Sequence, residues 1–304
     1  MLIGRRDSLH LLGGGLLAAM TSPAMALEAI AQGKPSMGPK LLQVRRGAAR
    51  VTILGFGEAR DETWFSSAVR DAFDASDTLW LENAPPNPGS TPDPATAQKI
   101  EVLSHTSGQT FYDCLSPAVA AQARKRVAEL GIAEKDISSL RPWRAYYIIM
   151  SAYFRRHPQA ETKYVDEFLA KRAAAQSKPM GFEFPSYADF VSFMAGMPPT
   201  AQSQYISWLL TYLDEQDRGL NDKHPYDWAI GHGPKMTRSL QRMINMAELY
   251  TAMQTRRNQW WARKIVEILD AGGNAFIGIG YLHIIGPAGI PEQLRKLGQH
   301  VTMM

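Results

Sequence analysis

Short β-rich runs stand near both ends of this chain with a long helical stretch between them, and that arrangement leaves few folds open. Val51-Thr-Ile-Leu-Gly55 is apolar, β-branched and closed by glycine. Residues 64–77 follow, with Phe65, Ala68, Val69, Ala72 and Phe73 at helical spacing, and Thr78-Leu-Trp-Leu81 is a second buried-strand pattern. A strand, a helix of about a dozen residues and a strand make a βαβ unit, whose two strands are expected to be parallel neighbours. Near the other end, residues 258–271 read as a helix capped by Gly272-Gly273, and Ala275-Phe-Ile-Gly-Ile-Gly280 reads as a buried strand. Residues 287–297 then read as a helix ended by Gly298, with a last strand over 300–303.

The stretch between has a different character. Pro85, Pro86, Pro88, Pro92 and Pro94 make 83–94 a long loop directly after the second strand. Helical patterns follow over 118–130, 142–154, 165–175, 187–195, 201–213 and 236–249, rich in methionine and aromatic residues. Such density reads as helix–helix core. The economical architecture is an α/β (α+β) fold. A central mixed sheet is built from the N- and C-terminal βα segments, and a helical region over about 95–250 is packed on it as a cap.

The first 26 residues read as a cleavable signal peptide. Arg5-Arg6 supply the positive start, and residues 9–20 are apolar but too short to span a bilayer. Ala24-Met25-Ala26 follows Pro23 as a small-residue cleavage site. The arginine pair, and an apolar stretch diluted by Gly13-Gly14-Gly15, point to the twin-arginine route over the general one, although Ser8 stands where a bulky apolar residue is usual. The expected product is a single domain over 27–304 in a bacterial periplasm, with no transmembrane helix. Net charge is only +4, so Arg124-Lys125-Arg126 and Arg155-Arg156 read as solvated helix faces and no nucleic-acid partner is expected. Cys114 has no second cysteine to pair with and reads as buried and inert.

In a mostly parallel sheet, ligands bind beyond the carboxyl ends of the strands. Gly55-Phe56-Gly57-Glu58-Ala59-Arg60 follows the first strand, Glu82 the second, and Tyr281-Leu282-His283 the strand over 275–280. Two carboxylates and one imidazole are thus expected at one sheet edge. Both residue types ligate divalent metals, and a carboxylate can serve as general base on a bound water. The bland alternative is a solvated strand-end glutamate and a satisfied core histidine.

Further residues carry a resemblance. Arg257-Asn258-Gln-Trp260-Trp261-Ala-Arg-Lys-Ile265 precedes Gly280-Tyr281-Leu282-His283-Ile-Ile-Gly286-Pro-Ala-Gly289, and Leu294-Arg-Lys-Leu-Gly298 closes the pattern. Weaker echoes are Pro142-Trp143, Val165-Asp166-Glu167-Phe168, Gly181-Phe182-Glu183 and Trp228-Ala-Ile-Gly231-His232. The chain resembles the TraB/PrgY/GumN family, related to the Tiki metalloproteases and, at fold level, to the erythromycin-esterase and ChaN-like group. The resemblance spans roughly residues 40–303. It implies a metal-dependent hydrolase or peptidase with Glu58, Glu82 and His283 as catalytic residues and ligands of Mn, Co or Zn. Arg60, Arg257 and Tyr281 would face a peptide or small envelope substrate. Arg257 pairs either with Glu58 or Glu82 or within a structural network, and Glu183 either reaches the same cleft or is a loop carboxylate, the loop reading being favoured. The departure is Glu58, which occupies the place of the family's first Gly-x-x-His histidine. A second reading therefore stays open: a non-catalytic periplasmic binding protein of the same fold with a degenerate metal site.

Overall fold

The computed structural model describes residues 38–57, 59, 61–84, 93–157, 164–219, 228–229 and 236–304. Residues 1–37, which include the segment expected to be a signal peptide, lie outside them, as do Glu58, Arg60, His232 and most of the proline-rich run. The described residues open with a hairpin of β1 (Leu41–Arg46) and β2 (Ala49–Phe56), turned tightly at Gly47 with φ of 58°. Helix α1 (Ser67–Asp74), capped by the Ser66 hydroxyl accepting from the Val69 N–H, leads to β3 (Thr78–Asn83). Helices α2 (Pro94–Ser104), α3 (Pro117–Glu129), α4 (Pro142–Arg156) and α5 (Val165–Ala175) precede β4 (Met180–Phe184). Then come α6 (Tyr187–Ala195), α7 (Pro199–Asp217), α8 (Arg238–Ile244) and α9 (Ala247–Tyr250). A π-helical turn over Thr251–Arg256 runs straight into α10 (Arg257–Asp270). Finally β5 (Asn274–Gly280), a 3-10 turn (Tyr281–Ile284), α11 (Ile290–Lys296) and β6 (Val301–Met303) complete the chain.

The sheet is mixed and six-stranded, in the order β4-β3-β5-β2-β1-β6. Strands β4, β3, β5 and β2 run parallel, and β1 is antiparallel to both β2 and β6. The α/β architecture expected from the two chain ends is therefore present, with two corrections. First, β2 and β3 are not neighbours, because β5 inserts between them. The reason is burial: Phe276, Ile277 and Ile279 of β5 are fully buried, and a strand apolar on both faces belongs in the sheet interior. Gly278 suits that crowding, since a Cβ there would lie 2.8 Å from Leu169 Cδ1 and 3.0 Å from Leu81 Cδ2. Second, the helical middle contributes an edge strand, β4, read in the sequence as loop. Smaller differences follow helix ends: 64–77 shortens to α1, and 236–249 splits into α8 and α9 at Asn245.

Two apolar layers hold this arrangement. The sheet-side layer packs Val51, Ile53, Phe73, Leu169, Trp261 and Ile277. The helical layer packs Trp143, Tyr146, Met150, Tyr205, Trp208 and Met243. The methionine and aromatic density thus serves as helix–helix core. Arg126 is a further correction: it is not a solvated charge but bridges α3 to α7, with Nη1 2.7 Å from Asp217 and Nη2 on Asp214. Cys114 is half-buried rather than buried, and burial with the nearby Asp113 charge pushes its thiol up. Among the described residues, no helix is long and apolar enough to cross a membrane.

Candidate functional site

The carboxyl ends of β3, β4 and β5 converge under the first turn of α10. Pairing of Leu81 with Phe182 and of Asn83 with Phe184 sets Glu82 beside Glu183 on one face of the sheet. On the other side of Glu82, the Gly280 N–H at the end of β5 donates to Glu82 Oε1 at 2.7 Å. The close approach suits a glycine, because a Cβ at Gly280 would stand 3.0 Å from that oxygen.

Helix α10 supplies the cation. Arg257 Nε donates to Glu183 Oε1 at 2.7 Å, while Nη2 donates at 2.7 Å to both Glu183 Oε2 and Glu82 Oε2. One planar guanidinium therefore clamps two carboxylates from adjacent strands, a task its forked geometry suits. Trp261, one helical turn on, donates from Nε1 to Glu183 Oε2 at 2.8 Å. The guanidinium also lies 5.4 Å from the Phe184 ring centre, against the helical layer. Arg257 and Glu82 are each only 8 % exposed, so this is a buried ion network.

His283 enters from the 3-10 turn after β5 and is 4 % exposed. Its Nε2 lies 3.5 Å from Glu82 Oε2, and its Nδ1 lies 2.5 Å from Asn258 Oδ1. Asn258 follows Arg257, and on a helix successive residues point about 100° apart. One helix end therefore serves the carboxylates and the imidazole through two consecutive residues.

Burial by itself would push the Glu82 carboxyl up. The His283 and Arg257 charges and hydrogen bonds outweigh it and hold the group at about 2. Arg257 shows the mirror effect, with burial opposed by Glu183 and Glu82, and its guanidinium is held more firmly charged. Asp166, in the first turn of α5, behaves oppositely: burial pushes it up to about 6, the Glu167 N–H it accepts pulls it down, and the Glu82 charge adds to the rise. The carboxylates of Glu82 and Glu183 against one Arg257 leave a surplus negative charge in the buried network.

The structure thus brings together Glu82, Arg257 and His283 of the expected residues. Glu58 and Arg60 lie outside the described residues, and Tyr281 packs in the sheet-side layer. Glu183 is in the cluster, so the cleft alternative holds for it and the favoured loop reading does not, while Asn258 and Trp261 join it with no role read for them in the sequence. Glu183 was obscured because β4 was not recognised as a strand; the parallel register would otherwise have placed it next to Glu82.

An oriented imidazole among carboxylates stands at the carboxyl edge of the mixed sheet of an α/β protein, the edge where such sheets commonly hold ligands. The chain belongs to the TraB/PrgY/gumN family, whose model matches residues 40–303. Among curated proteins and among solved structures, none matches the chain.

The donor chemistry can be tested against a divalent ion. Two ligands at bonds of about 2.0–2.2 Å on a tetrahedral ion stand roughly 3.3–3.6 Å apart. His283 Nε2 and Glu82 Oε2, at 3.5 Å, meet that spacing. The outer ring nitrogen of His283 is held by an amide oxygen, as metal-bound imidazoles usually are. Among the described residues, no group of three or more His, Cys, Asp or Glu could hold a metal, so the pair supplies two positions and a third donor must come from elsewhere.

Proposed function

We propose that this protein is an exported metal-dependent hydrolase of peptides or small envelope molecules, with His283 and Glu82 as metal ligands and Glu58 as the third. The observation that carries the reading is the 3.5 Å spacing of His283 Nε2 and Glu82 Oε2, with Asn258 behind the ring. When bound, a divalent ion supplies a water acidified for attack on a carbonyl. Arg257 keeps Glu82 ionised and aimed at the site, and Arg60 is assigned to the substrate side. Residues 1–26 are the export leader in this reading. N-terminal sequencing of the exported protein should begin at Leu27, and an intact leader there would contradict export by cleavage.

A second reading, a ligand-binding protein with a degenerate site, has one observation in its favour. Both Glu82 oxygens already accept hydrogen bonds, from Gly280 and Arg257. Metal content and melting curves of the purified protein separate the two. The hydrolase reading expects bound Mn, Co or Zn, and stabilisation by about 2.7 kcal/mol at roughly a hundredfold excess over Kd. Both effects should vanish in His283→Ala and weaken in Glu58→Ala. A wild type that carries no ion and shows no melting shift with any of the three metals would leave the binding-protein reading.

A further inference from the structure

We infer that Asn258 is the positioning residue of this site: it fixes which nitrogen of His283 bears the proton, and so presents a bare Nε2 toward Glu82. For its consequence on cation binding, the inference rests on the metal-site reading above; the hydrogen-bond argument stands apart from it.

Asn258 is fully buried, so its amide has no solvent to satisfy it. Its Nδ2 donates to the Ala288 carbonyl at 2.9 Å and reaches Gln254 Oε1 at 3.4 Å. Both partners are acceptor oxygens, which only the NH2 end of the amide can satisfy. The other end, Oδ1, is therefore the one that meets His283 Nδ1 at 2.5 Å. An oxygen acceptor at that distance requires a proton on Nδ1. The neutral ring is then bare at Nε2, the reverse of the tautomer an unconstrained histidine prefers. Bare Nε2 and Glu82 Oε2 are two electron-rich atoms facing each other, and the pair is completed by a positive charge between them.

The backbone around Asn258 is built to hold it. The Ala288 N–H donates to the Tyr250 hydroxyl at 2.9 Å, while the Ala288 carbonyl takes the Asn258 amide. Tyr250 and Asn258 are eight residues apart, and an uninterrupted α-helix would turn such positions about 80° away from each other. The π-helical Thr251–Arg256 between them winds more widely, closing i to i+5, and brings both onto Ala288. The loop after His283 and the helix carrying Asn258 are thus joined twice at one residue.

The test is 15N–1H correlation spectroscopy of the imidazole nitrogens in the metal-free full chain, in alkaline buffer. The His283 signal is assigned by its loss in His283→Gln. Expected is a protonated Nδ1 with bare Nε2 in the wild type and in Asn258→Asp, which keeps an acceptor, and loss of that preference in Asn258→Leu. Zinc titrations of the same proteins should show about 10–100-fold weaker binding in Asn258→Leu, restored in Asn258→Asp. An Nε2-protonated His283 in the wild type, or an unchanged tautomer in a folded Asn258→Leu, overturns the inference. If Asn258→Leu does not fold, the wild-type and Asn258→Asp spectra decide alone. The expected tautomer in a wild type that binds no zinc upholds the positioning role and overturns the metal reading instead.

Discussion

Arg257→Met is expected to lower the stability of the protein by about 3–5 kcal/mol, because it leaves two buried carboxylates without their shared cation. Glu82 would keep only the Gly280 N–H and the facing His283, and Glu183 only the Trp261 N–H. For a chain of this size such a loss moves the melting temperature by about 10 °C, which differential scanning calorimetry resolves. Arg257→Lys should fall between, since an ammonium brings the charge but not the fork that reaches Glu82 and both oxygens of Glu183. Arg257→Met combined with Glu183→Gln should recover part of the loss, because one of the stranded charges is then gone. If Arg257→Met stays within about 1 kcal/mol of the wild type, the network is not what joins α10 to the sheet.

The second large effect is a pH dependence. The Glu82 carboxyl is held at about 2 in the folded protein, against an ordinary value of 4.5. Its ionised form therefore contributes stability above pH 4.5, and the contribution is lost as pH falls from 4.5 toward 2. At 1.36 kcal/mol per unit, the loss comes to about 3 kcal/mol. Glu82→Gln cannot undergo it. Urea unfolding at neutral pH and at pH 3 should show the wild type losing more stability than Glu82→Gln on the acid side, with the gap closing as Glu82 protonates. Equal acid slopes for the two proteins would mean that Glu82 is not specially stabilised as an anion. Asp166 acts with the opposite sign: raised from 3.8 to about 6, it favours the folded state at low pH and loses that contribution as pH climbs through this range.

Much of this was written locally in the chain. The strands over 51–55, 78–81 and 275–280 show as apolar β-rich runs, and the rule that ligands sit beyond parallel strand ends selects Glu82 and His283 without regard to the rest of the molecule. Their meeting at 3.5 Å depends on something no local pattern carries, the insertion of β5 between β2 and β3. Strand β1 was missed because its Leu-Leu-Gln-Val-Arg-Arg sequence alternates poorly. Strand β4 was missed because Met-Gly-Phe-Glu-Phe is short, holds a glycine and lies half-exposed at an edge. That glycine is there for a reason visible only in three dimensions: the Trp80 ring covers Gly181, where a Cβ would come within 2.6 Å of it. The π turn before Arg257 is equally silent in the sequence, since a widened turn is set by tertiary partners such as Ala288. The role of Asn258 follows from that turn, so the sequence offered the residue beside Arg257 but not its task.

The proposed metal position is the space between His283 Nε2 and Glu82 Oε2. The direct measurement is a crystal structure of the full-length protein grown with zinc, with diffraction recorded on both sides of the zinc absorption edge. One anomalous peak is expected about 2.0–2.2 Å from both His283 Nε2 and a Glu82 carboxylate oxygen, with the Asn258–His283 hydrogen bond intact. A well-ordered site with no anomalous peak there, or with Glu82 still turned wholly to Arg257 and Gly280, would contradict it.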